Sequence, residues 1–152
     1  RLQTVLQDRC HAVATDEELK KMRILTIDDD QWIRNSLTYY FRKKTAAFVA
    51  LASAEEAIEL LQRETFDIVL CDYKLPGIDG LTLLRRLRQQ QPQTRTVLIT
   101  AYGTDDVMMQ AQTLGVQEII QKPFTTKTIE ACFERIIACQ APLSGTTGAL
   151  GN

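Results

Sequence analysis

Three adjacent carboxylates, Asp28, Asp29 and Asp30, follow directly on the apolar run Ile24-Leu25-Thr26-Ile27. Like charges that close repel: at about 5 Å and an effective dielectric near 20, each pair costs roughly 3 kcal/mol. A chain that gathers them needs something to neutralise them. A hard divalent cation does so, and Mg²⁺ (or Mn²⁺) takes oxygen ligands while keeping waters that phosphate oxygens can replace. Three further groups share the placement at the end of an apolar run. Asp72 closes "FDIVLCD", Thr100 closes "TVLIT", and Lys122 follows "EIIQ". A carboxylate held beside a cation can attack a phosphoryl group and become an acyl phosphate. The loose transition state of that transfer asks mainly for in-line positioning and positive charge around the equatorial oxygens. A lysine ammonium supplies charge, while a threonine hydroxyl and backbone amides supply hydrogen bonds. These residue types fit metal-assisted phosphoryl transfer.

Such groups need a scaffold that delivers strand ends to one edge. Apolar runs over residues 23–29, 47–52, 66–72, 96–101 and 116–121 read as strands. Their nearly continuous apolar character, rich in β-branched residues, is that of a parallel sheet covered on both faces. Amphipathic segments alternate with them. Ile33, Leu37, Tyr40 and Phe41 line the first, with Asp30 placed to cap it. Ser53 with Glu56 caps the second, which carries Ala57, Ile58, Leu60 and Leu61. Leu81, Leu84 and Leu87 mark the third, behind Asp79 as a turn former. Val107, Met108, Ala111 and Leu114 mark the fourth, ended by Gly115. The fifth starts at Thr126 and carries Ile129, Cys132, Phe133, Ile136 and Ile137. Five strand–helix units predict an α/β fold: an open, doubly wound five-stranded parallel sheet with helices on both faces. In such sheets ligands bind at the carboxyl ends of the strands, where Asp28, Asp29, Asp72, Thr100 and Lys122 fall.

The rest of the chain narrows the function by exclusion. Its 152 residues fit one ordinary domain. Eighteen basic against nineteen acidic residues give a net charge of -1, which offers no electrostatic reason to expect nucleic-acid or membrane binding. Arg85, Arg86 and Arg88 read as the wet side of a helix. No apolar run approaches a membrane span and no signal-peptide pattern opens the chain. Cys10, Cys71, Cys132 and Cys139 show no CxxC spacing, so neither a zinc site nor a disulfide framework is expected, and the cytoplasm is the simplest compartment. Three parts emerge. Residues 1–22 form a helical segment or linker with an apolar stripe of Leu2, Leu6, Cys10 and Val13. Residues 23–141 form the domain, and the Gly/Ser/Thr-rich residues 142–152 form a flexible tail or linker. His11, the one histidine, reads as a surface residue.

Over roughly residues 22–140 the sequence resembles the receiver domains of two-component response regulators. The motifs that carry the resemblance are "TIDDD", "CDYKLPGIDG", "LITAYG" and "IIQKPF", in that order on successive strand ends. The resemblance implies the flavodoxin-like strand order 2-1-3-4-5, known for a chemotaxis receiver. It implies Asp72 as the phosphoacceptor and Asp29 as a direct metal ligand beside Asp72 itself. Asp28 would act on the metal through water, and the Lys74 backbone carbonyl would complete the set. Thr100, Lys122, the Ala101 amide and the Lys74 amide would bind the phosphoryl group, with Pro123 after a cis bond. Pro76 and Gly80 would shape the loop behind Asp72. The partners implied are a sensor histidine kinase or phosphotransfer protein and a downstream effector domain or protein, with oligomeric state open, a homodimer included. The domain would catalyse only its own phosphorylation and dephosphorylation.

Ile119 departs from the pattern, because receivers commonly carry Tyr or Phe three positions before the lysine. A weaker coupling between Asp72 and the surface of the fourth helix, fifth strand and fifth helix is expected. Lys74 and Tyr102 occupy the positions that tune phosphoryl lifetime in the family, and both are bulky enough to restrict attack by water. Two rivals stand beside this reading. One is an Asp-nucleophile phosphohydrolase using Asp28 and Asp30 as a DxD pair; the other is a receiver-like binding module that is never phosphorylated.

Overall fold

The apolar runs form strands because each has two faces to bury, and successive side chains alternate between them. The computed structural model of the protein describes residues 15–150 except Tyr102, with side chains described as far as Cys139. The N-terminal stripe, His11 and Tyr102 lie outside the described residues. Strands β1 (Arg23–Ile27), β2 (Ala47–Leu51), β3 (Ile68–Asp72), β4 (Arg95–Thr100) and β5 (Glu118–Gln121) alternate with helices α1 (Gln31–Phe41), α2 (Ala54–Leu61), α3 (Gly80–Gln90), α4 (Asp105–Leu114) and α5 (Thr126–Leu150). All neighbouring strands pair in parallel, in the order β2-β1-β3-β4-β5. This is the predicted fold, with most strand ends trimmed by one or two residues.

Alternation along the central strands separates two apolar layers. Leu25, Ile27, Val69, Cys71 and Leu98 join Ala57, Leu61, Leu84, Leu87, Val107 and Ala111 from α2, α3 and α4. Ile24, Ile68, Leu70, Val97 and Ile99 join Leu37, Phe41, Ile129 and Phe133 from α1 and α5. Phe41 anchors the second layer, stacked on Phe48 at 5.5 Å and edge-on to Phe133 at 5.2 Å between ring centres. Helix starts are set by side-chain caps at Asp30, Ser53, Asp79 and Thr104. Gly115, at φ 87°, ends α4 in the left-handed conformation that favours glycine.

Both ends of the described chain carry further helix. A helical turn over residues 15–19 brings Leu19 into the α1/α5 layer, and Met22 joins it there, so packed residues begin N-terminal to the boundary drawn at residue 22. The Met22 carbonyl also accepts from the Ala46 amide at 2.9 Å, tying this segment to the start of β2. At the other end α5 runs on to Leu150, through Pro142, Gly145 and Gly148, where the composition predicts linker. Intrinsic propensity disfavours Pro by about 3 and Gly by about 1 kcal/mol relative to Ala. Here the helix is extended from turns already nucleated and packed at Ile129, Phe133 and Ile136.

Candidate functional site

The first residue beyond β1 is Asp28. Its amide donates to the Leu51 carbonyl at 3.0 Å, which keeps it in line with the sheet, and its Oδ1 accepts the Asp30 amide at 2.9 Å. Asp72 is the last residue of β3, and the Tyr73 amide after it donates to the Ile99 carbonyl at 2.7 Å. Both acids are nearly buried, at 1% and 5% exposure, whereas Asp29 stands at the solvent edge. One carboxylate oxygen from each of Asp28, Asp29 and Asp72 falls within 4.8 Å of the others.

Lys122 arrives from the end of β5. Its amide donates to the Thr100 carbonyl at 2.9 Å, so the ends of β4 and β5 are locked together. Its ammonium then lies 3.0 Å from Asp72 Oδ2 and 3.1 Å from Asp28 Oδ2. The Lys122–Pro123 bond is cis, as the resemblance implies. Thr100 closes β4 and is buried. Behind Asp72 the chain must double back tightly. The Gly80 amide donates to the Tyr73 carbonyl at 2.8 Å, and a Cβ at Gly80 would sit 2.2 Å from the Asp72 carbonyl oxygen. Only glycine permits that approach.

The charges interact as their crowding requires. Burial foremost, with the Asp28 and Asp29 charges adding to it, raises the Asp72 carboxyl above its ordinary range, although Lys122 pulls the other way. Burial alone would depress the Lys122 ammonium, but Asp72 and Asp28 outweigh it and hold the group above its usual value. The Lys122 ammonium thus meets two of the three carboxylates. Asp28 Oδ2 is buried and ion-paired with Lys122, yet the contact lacks hydrogen-bond geometry, so its acceptor capacity is not used up. An all-oxygen donor set with surplus negative charge fits a hard divalent cation such as Mg²⁺. The neighbouring Cys71 thiol is buried and its ionisation is suppressed by that burial, as in an inert core cysteine.

Other predicted residues separate from this group. Asp30 Oδ1 accepts the Trp32 amide at 2.9 Å and caps α1, so its carboxylate is not part of the acidic triad and a DxD pair with Asp28 is not assembled. Asp79 caps α3 through the Thr82 amide at 2.8 Å. Ala101 and the Lys74 side chain are exposed at the rim. Ile119 is half-buried and packs into the layer beneath α4. Two contacts had no sequence signal. Arg34 Nη1 donates to the Asp28 carbonyl at 2.9 Å, and Glu55 Oε1 accepts the Ile78 amide at 3.2 Å in the loop after β3. Nothing in residue type or spacing announces either, because each joins elements through a backbone group.

Fold and rim together define a doubly wound α/β domain with an acidic, cation-accepting site at its strand ends. The family model described as the response regulator receiver domain matches residues 24–134, and the chain belongs to that family. It is a receiver domain of two-component response regulators, phosphoacceptor signalling domains that generally bind Mg²⁺ at an aspartate cluster and work with histidine kinases and effectors. The chain is 33% identical over 126 residues to the response regulator protein FleR of Pseudomonas aeruginosa, covering 83% of this chain and 27% of that one. It is 30% identical over 115 residues to the sporulation initiation phosphotransferase F of Bacillus subtilis, covering 76% of this chain and 93% of that one. Among solved structures, the non-phosphorylated HemR receiver domain of Leptospira biflexa superposes with a TM-score of 0.70 at 28% identity, over 77% of this chain and 94% of that one. A CheY-like receiver from Methanospirillum hungatei shares the fold at a TM-score of 0.76, over 80% of this chain and 98% of that one. Among the described residues no helix is long and apolar enough to cross a membrane.

Proposed function

We propose that Asp72 is the residue that accepts the phosphoryl group, from a phosphohistidine of a sensor histidine kinase or phosphotransfer protein. An Asp72 carboxylate oxygen attacks phosphorus in line. The P–N bond breaks, the imidazole leaves with the bonding pair, and an aspartyl phosphate is formed. Asp29, Asp72, the Lys74 carbonyl and, through water, Asp28 would hold Mg²⁺, which when bound supplies positive charge to the equatorial oxygens. Lys122 adds its ammonium from the other side, and the Thr100 hydroxyl with the Ala101 and Lys74 amides orients the transferred group. The observation that carries this assignment is the Lys122 ammonium, 3.0 Å from Asp72 Oδ2 inside the acidic group. Carbamoyl phosphate with Mg²⁺, followed by intact mass, tests it. Wild type gains one phosphoryl group and Asp72→Asn gains none; equal gain by both would assign the acceptor elsewhere.

The domain then signals to a downstream effector domain or protein, from the cytoplasm, and turns over no external substrate. Moving a conformer ratio from 1:99 to 99:1 takes about 5.5 kcal/mol of differential stabilisation. Ile119, packed inward where receivers commonly carry an aromatic ring, delivers less of it to the α4–β5–α5 surface. Near-identical amide shifts there with and without beryllofluoride are expected; large shifts would contradict this. Lys74 and Tyr102 occupy the sequence positions that tune phosphoryl lifetime in the family, so replacing both with Ala is expected to shorten the half-life of the aspartyl phosphate, whereas an unchanged rate would remove them from that role.

A further inference from the structure

Where the β1 ladder ends, three hydrogen bonds fix the next residues. Asp28 Oδ1 takes the Asp30 amide at 2.9 Å, and Asp30 Oδ1 takes the Trp32 amide at 2.9 Å. The third comes from outside the turn: Arg34, one helical turn into α1, reaches back and donates Nη1 to the Asp28 carbonyl at 2.9 Å. The half-buried Arg34 thereby closes a ring around Asp29, whose own carboxylate is exposed and shares the acidic group with Asp28 and Asp72. We propose that Arg34 is a positioning residue for the cation site: by gripping the Asp28 carbonyl it sets the peptide between Asp28 and Asp29, and so the direction of both carboxylates. This rests on the cation site assigned above and concerns how it is held, not which residues touch the ion.

The two effects an arginine can have here carry opposite signs. As a cation on the Asp28 carbonyl, Arg34 opposes Mg²⁺ by simple repulsion, and removing it would tighten binding. As the anchor of the Asp28–Asp29 peptide it favours Mg²⁺, and removing it would loosen binding. Groups that orient metal ligands through hydrogen bonds typically contribute about 10–100-fold to affinity, more than a solvent-screened charge contributes. Weakening therefore dominates.

Calorimetric Mg²⁺ titration of the full chain, with thermal midpoints with and without Mg²⁺, tests the proposal. Arg34→Met keeps the apolar stem and should weaken Mg²⁺ binding about tenfold. It should also shrink the Mg²⁺-induced rise in midpoint, a readout that a purely structural role would leave unchanged. Arg34→Lys keeps the charge and one donor, and should fall between the two, about threefold weaker than wild type. Mg²⁺ affinity equal to or tighter than wild type in Arg34→Met overturns the proposal. Should that variant fail to fold, Arg34→Lys decides alone: weaker binding supports the proposal and unchanged binding overturns it. Wild type that binds no Mg²⁺ would overturn the cation site itself and this inference with it.

Discussion

The two rims of the sheet use polar side chains in opposite ways. At the amino rim they satisfy backbone ends. Asp67 Oδ2 accepts the Arg23 amide at 2.7 Å, Thr94 Oγ1 donates to the Phe66 carbonyl at 2.8 Å, and Gln91 Nε2 donates to the Leu61 carbonyl at 2.9 Å. The Arg23–Glu64 pair beside them is half in water, 44% exposed on both sides, and such pairs contribute little. At the carboxyl rim the charged groups meet one another instead. Lys122 lies against Asp72 and Asp28, whose side chains are 7% and 2% exposed, and three acids crowd within 4.8 Å. Desolvated like charges are an arrangement that stability alone would not favour. One rim completes the fold; the other stores electrostatic strain that a cation can relieve.

That contrast can be broken at either rim. The largest effect is expected for Lys122→Met, which removes the ammonium from Asp72, the proposed acceptor: phosphorylation by carbamoyl phosphate should slow by about 100-fold or more, measured as the initial rate of mass gain. Thr94→Val at the amino rim should do the reverse. Deprived of its buried hydroxyl donor, the Phe66 carbonyl costs about 1–3 kcal/mol in denaturant unfolding, while the phosphorylation rate stays within about twofold. Asp72→Asn sharpens the comparison further. Because burial and the neighbouring acids disfavour the Asp72 charge, its neutral replacement should raise the thermal midpoint of the Mg²⁺-free protein at neutral pH and abolish the Mg²⁺-dependent gain.

A smaller effect belongs to the α1–α5 link far from the rim. Tyr40 and Lys44 donate to Glu130 Oε1 at 2.7 and 2.9 Å. Burial raises the Glu130 carboxyl, but those two bonds outweigh it and the net shift is downward. A lowered carboxyl contributes stability above its unfolded-state value, near 4.5, and loses it as pH falls through the folded value. The midpoint difference between wild type and Tyr40→Phe should therefore narrow as pH drops below about 4.5; a gap constant with pH would refute the link.

Much of this was legible in the sequence, for identifiable reasons. Strands buried on both faces leave continuous apolar runs, so "DIVLC" and "TVLIT" read directly as central strands, and their ends, with that of "EIIQ", put Asp72, Thr100 and Lys122 on one rim. The three acids divide, with Asp30 a cap and Asp28 and Asp29 grouped with Asp72. What could not be read were contacts made through backbone atoms of distant elements. Arg34 on the Asp28 carbonyl and Glu55 on the Ile78 amide depend on tertiary closeness that no local pattern encodes. Leu19 and Met22 fall in the segment that reads as helix or linker, and only the α1/α5 layer shows them packed. The run of α5 through Pro142 and two glycines likewise goes against local propensity.

The central claim is that Asp72, the acids beside it and Lys122 form one phosphoryl-accepting centre. A crystal structure with Mg²⁺ and beryllofluoride tests it most directly. The account predicts beryllium bonded to an Asp72 oxygen, Mg²⁺ on Asp29 and Asp72, and Lys122 Nζ moved from the carboxylates onto fluoride. Beryllofluoride on another acid, or a rim that stays as it is under both ligands, would contradict it.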